Sequence, residues 1–283
     1  MGLVIVSRVV TVRHTIVALV RRGFLGTACA GALLAGILQG CTRSDAHPDL
    51  SGMWSTTTTA VENPGWTVAE LFACNCTPDT YEYIDEMLLP QNDHLSAAEI
   101  RRAVLDHNER AIAALMTEGG REYAAAYDLA DDPAIQCEYF GVFRSMLHND
   151  PILIEQSDDR VVIRGEDMSS DRVIFMDGRG HPDDEPLSSL GHSIGWYEGS
   201  ALVVETVNVA ANLAEDNLAI HNADNARSIE RYTLSDDGLR LRTQLTLIDP
   251  VNFREPLVLE NIRLRTPDVA LEDAPCESIS GQR

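Results

Sequence analysis

Gly191-His-Ser-Ile-Gly-Trp-Tyr-Glu-Gly-Ser-Ala-Leu-Val-Val-Glu-Thr-Val-Asn-Val209 is the stretch on which the fold turns. Its second half, residues 201–207, is rich in β-branched side chains and reads as a strand. Its first half carries Gly191, Gly195 and Gly199, which permit tight turns or close backbone approach. The pattern predicts a glycine-punctuated loop that feeds a strand and holds His192, Trp196 and Glu198 at the mouth of a sheet. On the strand, Ala201, Val203, Glu205 and Val207 share a face. A carboxylate among valines is costly unless paired, so an inward Glu205 calls for Arg172, Arg231 or Arg263.

From Asp132 onward the chain reads almost entirely as β. Candidate strands span 151–156, 160–166, 172–177, 201–207, 226–234, 239–248 and 257–265. Short Asp/Ser/Gly turns at 157–159, 167–171 and 235–238 join several of them, as in hairpins. Leu239, Leu241, Thr243, Leu245 and Leu247 alternate with Arg240, Arg242, Gln244 and Thr246, which makes that strand half-buried. Glu230 and Tyr232 share one face of 226–234, with Arg231 opposite. Residues 49–54 open the folded part and 55–59 continue it. Gly52-Met53-Trp54 resembles the opening of lipocalin-type (calycin) barrels, in which the Trp plugs the closed end. The expectation is a mainly β chain: an antiparallel lipocalin-like β-barrel of about eight strands, with room for one ligand.

A helical segment at about 80–129 interrupts this pattern. Ser96 and Glu99 form a capping box that starts a helix running to about 116. Ile100, Val104, Ala111 and Leu115 fall on one face, and Arg102, Asp106 and Arg110 form i,i+4 pairs on the other. His107 lies between the faces and reads as structural. Gly119-Gly120 is expected to end that helix, with shorter helices at 80–89 and 121–129. The block is expected to cover one barrel end and shape an entrance.

The beginning of the chain reads as an export signal. Arg21-Arg22-Gly23-Phe24-Leu25 has the twin-arginine form and leads into an apolar core of about 14 residues, short of the roughly 20 that span a bilayer. Leu38-Gln39-Gly40-Cys41 resembles a lipoprotein lipobox. The expected organisation is a signal peptide at 1–40, a tether at 41–48 and one domain at 49–283. The lipobox resemblance implies a product acylated on Cys41 and addressed to the cell envelope. Without the leader's four arginines, 18 basic residues face 44 acidic ones, a net charge of −26. Such a surface repels nucleic acid. The chain has no lysine, which excludes Schiff-base chemistry. Cys74, Cys76, Cys137 and Cys276 remain, an even number in an oxidising compartment, and two disulfides are expected. Only Asn75 separates Cys74 from Cys76, too tight for an easy bridge, so each is expected to pair outward.

Several of these stretches together resemble an uncharacterised family of secreted bacterial proteins. Its members carry Leu-Ser-Gly-x-Trp (here Leu50 to Trp54), a Cys before an Arg (Cys137 and Arg144) and Asp-Gly-Arg-x-His (Asp177 to His181). They also carry Gly-x-Ser-x-Gly-x-Trp-Glu-Gly (Gly191 to Gly199, with Tyr197 inserted) and Leu-Val-Val-Glu-Thr (Leu202 to Thr206). Glu-Arg-Tyr (Glu230 to Tyr232) and Asp249-Pro250 follow. The resemblance covers Cys137 to Pro256 and the first strand, leaves out the helical block, and implies fold and export without implying an activity.

Two function classes follow. In the first, the barrel of a cell-envelope lipoprotein binds a small hydrophobic or aromatic molecule through Arg179, His181, Trp196, Tyr197 and Arg231. In the second, the chain is a cofactor-independent isomerase, lyase or hydrolase. Its acid–base pair is drawn from His192 with Glu198 or Glu205, and Asp177 is a further candidate, since a desolvated Glu beside a His suits proton abstraction near neutral pH. Gly191 to Gly195 matches Gly-x-Ser-x-Gly, but a nucleophile elbow needs a strand before it and a helix after it, and here a strand follows. His181 and His192 with Asp183, Asp184 and Glu185 offer metal-ligand types, but eleven residues between the two His matches no tight ligand spacing, and no metal or cofactor is expected.

Overall fold

Gly195 lies inside a strand rather than in a loop. In the computed structural model, which describes residues 47–56, 74–166, 168, 171–216, 218–272 and 276, His192–Glu198 forms a strand. It pairs antiparallel with Ala201–Val209 from His192↔Val207 to Glu198↔Ala201. A Cβ on Gly195 would lie 2.6 Å from the Met176 sulfur and 2.9 Å from Ile174 Cγ2. That glycine therefore marks close packing inside a sheet, not a turn. The predicted leader, Cys41 and the extension at 57–59 lie outside the described residues.

The strands in chain order are β1 (Gly52–Ser55), β2 (Ile152–Gln156), β3 (Arg160–Gly165), β4 (Arg172–Phe175), β5 (His192–Glu198), β6 (Ala201–Val209), β7 (Asn212–Glu215), β8 (Ile220–Asn222), β9 (Ala226–Leu234), β10 (Arg240–Ile248) and β11 (Leu257–Arg265). Among the described residues nine of them close a barrel in the order β1-β11-β10-β9-β6-β5-β4-β3-β2, and β7–β8 form a separate two-stranded sheet. The architecture is mainly β, as expected. It differs in strand number and in one parallel pair, β4 with β5, joined at Ile174↔Ser193 and Phe175↔Ile194. The connection at 176–191 carries the chain back across the barrel, which is what a parallel neighbour requires.

The interior is layered. At one end Trp54, Ile154, Val161, Ile174, Leu202, Val204 and Leu241 pack together. Trp54 is fully buried, donates its Nε1–H to Leu50 O (2.8 Å) and lies under the Arg265 guanidinium (4.3 Å). At the other end Leu245, Leu247, Leu257 and Leu259 meet Val142, Phe143, Met146 and Leu147 of a short helix, Val142–Leu147. Between the two lies a polar layer. Arg172 donates to both oxygens of Glu230 (2.7 and 2.8 Å), and Ser193, Thr206, Ser228 and Tyr232 complete the network. Glu230 is fully buried. Burial alone would pull the Arg172 pKa down, but Glu230 outweighs it and the pKa rises.

Glu205 therefore does not reach the interior. Leu202, Val204 and Thr206 face inward, and Glu205 faces out beside Ile194. Ala201 to Val204 are all buried, so the hydrophobic pattern cannot tell one face of β6 from the other.

The helices are α1 (Pro78–Met87), α2 (Ala97–Leu115), α3 (Glu118–Ala126) and α4 (Val142–Leu147). The Ser96–Glu99 capping box starts α2. The buried stripe of α2 is Val104, Asn108 and Ile112; Asn108 accepts from the Thr77 N–H at 2.9 Å. Glycines 119–120 sit in the first turn of α3 instead of ending α2, since a Cβ on Gly120 would be 2.4 Å from Asn252 O. The block covers the barrel end only in part. The end of α2 joins the Leu245 cluster, whereas α1 and the start of α2 pack with Cys74 and Cys76 beside β11. His107 stacks on Tyr83 and pairs with Asp79, a structural role.

The four cysteines form two disulfides, but Cys74 bonds Cys76, and Cys137 bonds Cys276. The expectation that Cys74 and Cys76 pair outward is corrected. Residues i and i+2 of an extended chain point the same way, and here their Cα atoms stand 5.2 Å apart, within ordinary disulfide reach.

Candidate functional site

The residues singled out by the sequence divide into three groups on the barrel wall. His192 projects outward from β5, and His181 from the 176–191 loop lies across it. His181 Nδ1 and His192 Nδ1 are 2.8 Å apart, so one carries the proton that the other accepts. His181 Nε2 is buried without a hydrogen bond and lies 3.6 Å from Glu205 Oε2. A proton on that Nε2, facing the carboxylate, fixes the remainder: His181 Nδ1 accepts, His192 Nδ1 donates, and His192 Nε2 keeps its lone pair. The Phe175 ring stacks on His192, and Arg179 covers Phe175 at 3.8 Å. The surrounding cleft, about 710 Å³, is completed by Pro182, Asp183, Asp184 and Glu185.

Burial pulls the His192 pKa below its ordinary 6.5. The folded state thus favours the neutral ring. The linked stability is present above the unfolded pKa and is lost as pH falls from about 6.5 through the lower folded value. An NMR titration of the His192 ring is expected to show a midpoint below 6.5. A midpoint above it would mean that Glu205 or Glu185 dominates the ring.

Asp177 is bound by Arg179 Nε and Nη2, and that guanidinium holds its pKa down at about 2. An acid so fully ionised donates no proton near neutral pH, and it stands apart from the histidines as the anchor of Arg179. Trp196, Glu198 and Arg231 form the second group. Trp196 Nε1–H donates to Glu198 Oε1 (3.0 Å) and Arg231 Nη2 to Glu198 Oε2 (2.5 Å), all outside the barrel. Glu198 therefore does not join His192. Tyr197, the third group, points inward; its hydroxyl accepts from Gln156 Nε2 (2.8 Å) and His47 stacks on its ring. Ser193 of the Gly-x-Ser-x-Gly match also points inward and accepts from Arg172, which ends its reading as a nucleophile.

A second cleft, of about 540 Å³, went unread in the sequence. It lies between α3 with the following loop and the β7–β8 sheet. Tyr123 and Tyr127 are four residues apart on and just after α3, and both rings meet His221 of β8 edge-on, at 4.1 and 5.5 Å. Pro133, Leu213 and Val251 add apolar wall, and Asn212 and Asn222 add amides. The Tyr127 hydroxyl is buried and meets the Asp132 carboxylate. Burial first, then the Asp132 carboxylate, raises its pKa to about 12, so it stays a protonated donor. The i,i+4 tyrosines were the available signal; the facing wall, with Leu213, His221 and Val251, comes from segments far along the chain that no local pattern joins.

Among the described residues no group of three His, Cys, Asp or Glu side chains is disposed to hold a metal ion. No protein-family model matches the chain, and no curated protein matches it.

Proposed function

We propose that the chain is a cell-envelope lipoprotein whose lipocalin-like barrel carries a binding site for a small aromatic or hydrophobic molecule in the Tyr123–Tyr127–His221 cleft. The observation that carries this reading is a cleft of about 540 Å³ in which the Tyr123 and Tyr127 rings meet His221 edge-on, with the Asn212 and Asn222 amides beside them. Its volume falls in the range of small-molecule sites, roughly 300–1,000 Å³. The barrel interior suits such a ligand poorly, because its cavity measures about 20 Å³, room for one water. Gly52-x-Trp54 on β1, with its Trp buried at one end of the barrel, supports the lipocalin-like description. Mass spectrometry of the purified protein is expected to find a co-purified aromatic compound. Tyr123→Ala is expected to weaken its binding about tenfold, the worth of one aromatic contact, while the melting temperature stays put. Unchanged affinity in Tyr123→Ala would overturn the site.

Export and anchoring rest on Arg21-Arg22 and the lipobox at Cys41. Cys41→Ala is expected to move the protein from the detergent phase to the aqueous phase; continued detergent partitioning would count against acylation.

A second reading is favoured by the Glu205–His181–His192 chain: a cofactor-independent isomerase, lyase or hydrolase with His192 Nε2 as base. His192→Ala is then expected to abolish turnover with the melting temperature nearly unchanged. A purely structural cluster would instead show a loss of about 1–3 kcal/mol in stability and no activity to lose.

A further inference from the structure

The polar layer of the barrel is not neutral. Arg172 is matched by Glu230, but Arg263, 2 % exposed, makes no ion pair among the described residues. Its Nη2 donates to Met146 O (2.9 Å) and His148 O (2.8 Å), the carbonyls at the end of α4. Its Nε is buried and has no partner. The Asp150 carboxylate also acts on it but is engaged by His148 at 2.7 Å. Burial pulls the Arg263 pKa down to about 10, the mark of an uncompensated charge.

Arg263 lines the interior cavity of about 20 Å³ together with Arg172, Tyr232, Thr243 and Ser145. Two further polar atoms there have no partner, Thr243 Oγ1 and Ser145 Oγ, both buried. Three unsatisfied groups, each able to donate a hydrogen bond, thus border one small void beside a surplus positive charge. Buried polar groups are rarely left so, and a water would satisfy their geometry but leave the charge unanswered. A carboxylate-bearing organic molecule is too large for the space.

We propose that this cavity binds one small monovalent anion of halide size, held by Arg263 Nε–H and the hydroxyls of Thr243 and Ser145. The anion completes the polar layer and fixes α4, whose residues supply Ser145 and the carbonyls that Arg263 caps. It therefore acts as a structural ligand of the folded state, separate from the aromatic cleft.

The test is the melting temperature of the mature protein as chloride or bromide replaces gluconate at constant ionic strength. A saturable rise with either halide is expected, since a ligand bound only to the folded state stabilises it. Thr243→Val keeps the side-chain shape and removes one donor. Its half-saturating halide concentration is expected to rise about tenfold. Arg263→Met, where it folds, is expected to lose the dependence altogether. Bromide-soaked crystals are expected to show one anomalous peak within hydrogen-bond reach of Arg263 Nε. Equal melting temperatures in gluconate, chloride and bromide, a halide response unchanged in Thr243→Val, or a water in the cavity of bromide-soaked crystals would each overturn the proposal.

Discussion

Glu230→Ala is expected to destabilise the protein by about 3–5 kcal/mol, the usual cost of removing one partner of a buried ion pair. The carboxylate is the hub of the polar layer. It accepts from Arg172 twice, from Ser228 and from Tyr232, and it is fully shielded from water. Its loss leaves Arg172 charged in the same space as Arg263, so two cations share one barrel. The double variant Arg172→Met with Glu230→Leu is expected to recover most of that loss, because apolar replacement of both partners avoids the uncompensated charge. Urea unfolding of the two variants decides the matter. A single variant within 1 kcal/mol of the parent would mean that the layer is wetter than its geometry implies.

Replacing Cys137 and Cys276 by Ala is expected to cost about 2–5 kcal/mol, near the upper end if chain entropy governs, because the bond spans a sequence separation of 139 residues. The same change at Cys74 and Cys76, separated by two, closes almost no loop and is expected to leave the urea midpoint nearly unmoved. Comparable losses for the two pairs would show that local packing, not loop closure, sets their worth.

The sequence showed the barrel where alternation was clean. β9 and β11 fall on the expected bounds and β10 is one residue shorter than expected; along β9 and β10 buried residues alternate with exposed or half-buried ones. It missed β5, where Gly195 mimics turn chemistry while serving close approach; Gly191, just before the strand at φ 61°, does close a turn from Ser188. It missed α4, a six-residue helix whose side chains are almost all buried and so show no helical period. Candidate site residues were legible by type and not by direction. His181, His192 and Glu205 do meet, but on the outer wall, because parity on β6 is hidden where both faces are buried. Glu230 and Arg172 were in view separately; nothing local says that residues 58 apart will form one pair.

Closure of the barrel rests on β1, four residues whose Trp54 pairs with Ile152 on one side and with Arg265 on the other. Most other pairings join neighbours in the chain, such as β9 with β10 and β5 with β6. Local hairpins form quickly, whereas a contact between residues 54 and 265 must wait on nearly the whole chain. The mature barrel offers no edge to a neighbour, yet while it is being made β2 and β11 both lie open. That interval is when strand-to-strand aggregation can compete, and its length is set by how fast a four-residue strand finds its slot.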